Sequence, residues 1–136
     1  MSHWGGMSRI SARQYITDPI EIGDMEIVPH EVDEEAEPVD GVKLAQLAAG
    51  TEASVQTFRI EPGATVPEHS HPHEQVGYLV SGTLTFVADG EERTVEAGDS
   101  YVIPGGEAHA AENRSDEEVF GLDIFSPPRT DPDWAE

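Results

Sequence analysis

From Gly41 to Ser126 the chain is a succession of short segments in which apolar and polar residues alternate, each closed by a turn signal. "VKLAQLAA" and "ASVQTFRI" are parted by Gly50 and Thr51, and "EPGATVPEHSH" opens on a Pro-Gly turn. "QVGYLVSG" and "TLTFVADG" are apolar runs closed by glycine, and "DSYVIPGG", "EAHAAEN" and "EVFGLDIF" complete the series. Side chains of a strand alternate between two faces, so this texture predicts strands with one face against a core. Asp89-Gly90, between two such segments, is the strongest short signal for a hairpin. Roughly eight or nine strands are expected, with turns about every ten residues. No segment sustains a helical period with caps. The pattern predicts an all-β sandwich or barrel over residues 41–126.

The flanks read differently. Residues 1–40 form an N-terminal arm. Within it "IEIGDMEIVP", residues 20–29, alternates and could add a strand. "HEVDEEAEPVD", residues 30–40, is a charge run with Pro38 inside it and predicts a solvated acidic loop. Residues 127–136 are too rich in proline for a central strand and are expected to pack along the outside as a tail.

Composition narrows the function classes. At 136 residues the chain is one domain, long enough to bury a core without staples. It has no cysteine, which excludes disulfides, thiolate metal sites and a cysteine nucleophile. No apolar stretch approaches the roughly 20 residues that cross a bilayer. The start, "MSHWGGMSRI", lacks the apolar centre of a signal peptide, so a cytoplasmic location is expected, with Met7 an alternative start. Acidic residues number 28 against 7 basic ones, for a net charge of −21, and Lys43 is the single lysine. Such a chain repels nucleic acid and anionic membranes, so neither is expected as a partner. It fits either an acidic mesophilic protein with a disordered tail or a protein of a salt-loaded cytoplasm. At about 1 M salt the screening length falls to about 3 Å and self-repulsion largely disappears. The acids are spread along most of the chain, which favours the halophilic alternative.

The candidate chemistry lies in "PEHSHPHEQVGYLVSG", residues 67–82, which gathers three of the six histidines. In an extended strand His69 and His71 share a face. Such a pair is either a surface accident or a metal site, since neutral imidazole is the commonest ligand for divalent metals. The surroundings are patterned. Gly63 precedes His69 by six positions, Gln75 follows His71 by four, and Gly82 follows Gln75 by seven. Downstream, "GDSYVIPGGEAHAAEN" sets Gly98, Pro104, Gly106, His109 and Asn113 at fixed spacing.

Together these stretches resemble the paired motifs of the cupin superfamily, G-x5-H-x-H-x3-4-E-x6-G followed by G-x5-P-x-G-x2-H-x3-N. One fixed position departs: Gln75 stands where the family has glutamate. The resemblance covers residues 63–113 and implies a single-domain double-stranded β-helix, a jelly-roll barrel holding a metal inside. Carried over position by position, the implied ligands are His69, His71, Gln75 and His109, with Pro104 and the following glycines forming the turn that presents His109. The family does not use His73, which is expected at the pocket rim or surface. His30 and His3 are expected to be solvated, and Trp4 and Trp134 to pack.

Glutamine changes the chemistry. Three imidazoles and an amide leave the metal's charge uncompensated, which favours a Lewis acid and an anionic substrate over stabilisation of an oxidised metal. Magnesium and calcium prefer carboxylate-rich oxygen shells. Nickel, zinc, manganese and ferrous iron remain open, as does a degenerate, weak site.

Near the end, "LDIFSPPR" places Asp123 and Phe125 on one strand face, with Arg129 beyond two prolines. By itself this reads rather as a core phenylalanine with a solvent-facing aspartate and a surface arginine. With the H-x-H…Q variant of the first motif, the segment D-x-F-S-P-x-R resembles the small pectin-degradation cupins of the KdgF type. That resemblance implies linearisation of cyclic 4,5-unsaturated uronates to open-chain keto acids. It makes Asp123 a general acid/base, shuttling a proton as the enol ether is hydrated. Arg129 becomes a catalytic and binding residue for a substrate carboxylate, and Phe125 an apolar wall beside the sugar ring. Alternatives are a metal-dependent cupin dioxygenase or lyase, distinguishable by oxygen consumption with iron, and a non-catalytic metal- or sugar-binding cupin. A homodimer is expected from the same resemblance.

Overall fold

The structure is a computed structural model that describes residues 25–129. His3, Trp4, Met7, Trp134 and most of the tail lie outside the described residues, as does the first half of the strand expected over 20–29; residues 26–30 carry no strand, and His30 is half-buried. Glu31–Glu136 forms a compact unit by itself.

Among the described residues, ten strands follow a single 3-10 turn at Val32–Glu34: β1 (Ala36–Val39), β2 (Val42–Ala49), β3 (Ser54–Ile60), β4 (Thr65–His69), β5 (Glu74–Ser81), β6 (Thr83–Ala88), β7 (Glu91–Glu96), β8 (Ser100–Ile103), β9 (His109–Glu112) and β10 (Val119–Ser126). They form two antiparallel sheets, ordered β1-β2-β3-β10-β5-β8 and β4-β9-β6-β7. This is the all-β architecture that the alternation predicts, in the jelly-roll form that the cupin resemblance implies. No helix among the described residues is long and apolar enough to cross a membrane.

The strands behave as their patterns require. In β5, Gln75, Gly77 and Leu79 are buried while Val76, Tyr78 and Val80 are exposed. In β10, Val119, Gly121, Asp123 and Phe125 are buried. Val42, Leu44, Phe58, Ile60, Leu79 and Val119 of the large sheet meet Leu84, Val95 and Ala111 of the small one, forming the core. Burying each such side chain contributes about 1.5–3 kcal/mol. The β6–β7 hairpin closes on Asp89 (φ 53°) and Gly90 (φ 75°), with Ala88 paired to Glu91. Two positive φ angles in a two-residue loop match the right-handed twist of the flanking strands, so the Asp-Gly signal was read correctly.

One expectation is corrected. The acidic run 30–40 is not a plain solvated loop, because Ala36–Val39 pairs with β2 as an edge strand. An edge position tolerates Pro38, which has no N–H to give to a ladder. Arg59 anchors the segment: its guanidinium reaches Glu35 at 3.3 Å, a side chain only 3% exposed, and lies 4.6 Å from the centre of the Phe120 ring. This long-range ion pair is what a local charge count misses.

Candidate metal centre

The small sheet supplies two of the histidines. His69 ends β4 and His109 begins β9, and the two are direct partners in the ladder. His71 lies beyond β4, so strand alternation is not what places it. It sits in the bend between β4 and β5, where Gly106 N–H donates to its carbonyl at 2.7 Å. The Pro104–Gly106 turn therefore clips the second motif onto the first. A Cβ on Gly105 would overlap the carbonyl oxygen of Pro72, so this turn needs glycine there.

The three rings converge. The His69 and His109 centroids lie 4.5 Å apart, with His71 at 5.5 and 5.1 Å from them. One potential ligand atom from each falls within 4.8 Å of the others. Every Nδ1 faces a backbone carbonyl two residues away: His69 that of Pro67 (2.9 Å), His71 that of His73 (3.1 Å), His109 that of Glu107 (2.8 Å). A carbonyl only accepts, so Nδ1 carries the proton and Nε2 keeps its lone pair. Burial pushes His69 and His71 down to about 4 and lowers His109, which keeps all three neutral near pH 7.

Gln75, at the start of β5, turns its Oε1 to within 3.1 Å of His71 Nε2. With His71 Nδ1 donating to His73, two lone pairs face each other there. A shared cation would turn that repulsion into coordination. The donor set fits one divalent cation held by His69, His71, Gln75 and His109. His73 is outside the converging group; it is half-buried and packs edge-on against His71 and Phe125, at 5.4 and 6.1 Å between centroids.

Beside this group lies a cavity with about 440 Å³ of empty space including its open mouth. Asp123, Phe125 and Arg129 all line it, together with His69, Gln75 and His109. Phe125 packs edge-on against His71 at 5.6 Å, and the Arg129 guanidinium lies 5.3 Å from the Phe125 ring centre. Arg129 is only 5% exposed, and its backbone N–H donates to Ser54 Oγ at 2.9 Å. It is a buried cation, not the surface one that the segment alone would allow.

Burial raises the Asp123 carboxyl to about 6; hydrogen bonds from Tyr101 and Gln75 and the charge of Arg129 oppose that rise. Near neutral pH the group can both give and take a proton. Tyr101 was not singled out from the sequence. Its hydroxyl donates to Asp123 Oδ1 at 2.6 Å, and the same burial pushes its own pKa up. The available signal was its parity with buried Ile103 on β8. Gln56 was also missed; it is buried, lines the cavity and pairs with Asp123 across β3 and β10.

Fold and site define a small single-barrel protein with a three-histidine centre at one end of a jelly roll. The chain belongs to the cupin family: the Cupin domain description matches residues 56–125. It is 29% identical over 93 residues to the pectin degradation protein KdgF of Dickeya dadantii, covering 68% of this chain and 84% of that one. It is 35% identical over 66 residues to the H2HPP isomerase of Bacillus subtilis, covering 48% of this chain but 28% of the relative. Among solved structures, KdgF from Halomonas sp. superposes with a TM-score of 0.70 at 24% identity, over 77% of this chain and 96% of that one. An RmlC-like cupin from Shewanella frigidimarina superposes with a TM-score of 0.62 at 26% identity, over 82% and 93%.

Proposed function

We propose that the protein is a metal-dependent enzyme of the KdgF type, which linearises a cyclic 4,5-unsaturated uronate to an open-chain keto acid. The observation that carries this reading is the cavity in which Asp123, buried Arg129 and Phe125 stand beside three histidines and a glutamine. His69, His71, Gln75 and His109 would hold the metal, which supplies Lewis-acid pull on substrate oxygens.

The rest follows from side chains of this chain. Arg129 offers a planar fork to the substrate carboxylate, and Phe125 faces the sugar ring. Protonated Asp123 gives its proton to C4 of the C4=C5 enol ether, water adds to C5, and the proton that water sheds returns to Asp123. As the C5–O ring bond breaks, Asp123 protonates the departing ring oxygen and regains a proton from the C5 hydroxyl, which becomes the ketone. C1 is left as an aldehyde hydrate that loses water, so the net change is an isomerisation. Homodimerisation and a salt-loaded cytoplasmic setting belong to the same proposal.

The test is turnover of unsaturated galacturonate by protein purified in high salt and loaded with nickel, zinc, manganese or ferrous iron. Asp123→Asn is expected to lose turnover, about 10²-fold or more for a lost general acid/base, while still loading with metal supplied at saturating concentration. Unchanged turnover removes Asp123 from the mechanism. A wild type inactive with every metal sinks the functional reading.

A further inference from the structure

Tyr101, Gly77 and Asp123 occupy one row across three strands. Gly77 of β5 is paired with Tyr101 of β8 on one side and with Asp123 of β10 on the other. In such a row the central side chain normally stands between its two neighbours. Here there is none, and the tyrosine ring occupies the space above Gly77: a Cβ built there would overlap it. The hydroxyl reaches Asp123 Oδ1 at 2.6 Å. Phe86, on the small sheet, backs the ring at 4.8 Å between centroids. Gln75 stands diagonally across the β5–β10 ladder from Asp123 on the same buried face, where its amide stabilises the carboxylate, and its amide oxygen lies 3.1 Å from His71 Nε2. A row of polar neighbours thus runs from Tyr101 through Asp123 and Gln75 to the histidines.

A glutamine can present either its oxygen or its NH2 group to a neighbour; the two differ by a turn about the last side-chain bond. A carboxylate only accepts, so Asp123 captures the NH2 and leaves the oxygen facing the histidines. The rotation of the carboxylate is itself set by Tyr101. We propose that Tyr101 is a positioning residue for the metal centre: by fixing Asp123, it holds the Gln75 amide with its oxygen toward His69, His71 and His109. This rests on the metal-centre part of the proposed function and not on the reaction.

The experiment is zinc affinity of the full chain, measured by competition with a chromophoric chelator. Four proteins are compared: wild type, Tyr101→Phe, Gln75→Ala and the double variant. Tyr101→Phe keeps the ring and its packing and removes only the hydroxyl. Loss of a partner that orients a ligand weakens binding by about 10–100-fold, and an effect relayed through two contacts belongs at the low end. Tyr101→Phe is therefore expected to weaken zinc about tenfold in the wild-type background and less than about twofold when Gln75 is already alanine. Equal weakening in both backgrounds would mark a packing defect and overturn the proposal, as would unchanged affinity. A wild type that binds no zinc overturns the metal centre and this inference together, a result visible before any variant is compared.

Discussion

Replacing Gly77 by alanine puts one methyl group where the Tyr101 ring lies. Gly77 is not among the glycines with positive φ, so backbone conformation does not forbid the change. In an unobstructed strand the same substitution would stabilise by about 0.5–1 kcal/mol, because glycine loses more freedom on folding. Here the sign reverses. Forcing a methyl into a packed site costs about 1–3 kcal/mol. The ring must move away from Phe86, and buried Asp123 loses its 2.6 Å donor. Losing a hydrogen bond to a charged group costs about 1.5–3 kcal/mol more. The two costs sum to about 2.5–6 kcal/mol, a large part of the about 5–15 kcal/mol that holds a domain of this size. Urea denaturation at fixed high salt, followed by circular dichroism, reads it directly. The thermal midpoint should fall by about 10–25 °C, at about 4 °C per kcal/mol for a domain of this size. Repeating the substitution in a Tyr101→Leu background should shrink the cost below about 1 kcal/mol, since the colliding ring is gone. A cost under about 1 kcal/mol with Tyr101 present, or an equal cost in both backgrounds, would refute the steric argument.

Other expectations follow from the same structure. Asn113 is buried, donates to the carbonyls of Ile60 (2.9 Å) and Glu117 (2.7 Å), and accepts from Ser115 N–H and Oγ. Asn113→Ala should cost about 2–4 kcal/mol in urea denaturation, because several buried partners are left unmade, while zinc affinity stays within about threefold. Zinc at a hundred times its dissociation constant should stabilise the wild type by about 2.7 kcal/mol, and a chelator should remove that gain. His109→Ala should abolish the zinc-dependent shift in thermal midpoint, and a shift of unchanged size would take His109 out of the metal set. With a net charge of −21, the thermal midpoint should rise by several degrees as sodium chloride goes from about 0.1 to 1 M, where the screening length falls from about 10 to 3 Å. A flat or falling midpoint would count against the halophilic reading.

Much of the site could be read from the chain because its spacing is a strand code. Asp123 and Phe125 share a face by the two-residue period, and both line the cavity. The Asp89-Gly90 turn was legible because it needs only local backbone geometry. His71 reached its place for a different reason than the alternation suggested: it lies past the end of β4 and is held by the Gly106 amide, 35 positions along the chain. The strand at Ala36–Val39 was hidden by its acids, since the Glu35–Arg59 pair that secures it joins segments 24 positions apart. Tyr101 gave only a parity signal, because its partner Asp123 is two strands away.

The order of residues along the chain sets which of them face inward, where the chain turns, and which side chains are able to bind a cation or move a proton. These depend on backbone periodicity and on the chemistry of single residues. Assembly of the two sheets is what buries Asp123 against Tyr101, draws Arg129 in over Phe125, and turns the Gln75 oxygen toward His71. Those facts depend on which strands become neighbours. Neighbours distant along the chain set the desolvation, hydrogen bonds and close approaches that give a side chain its working state.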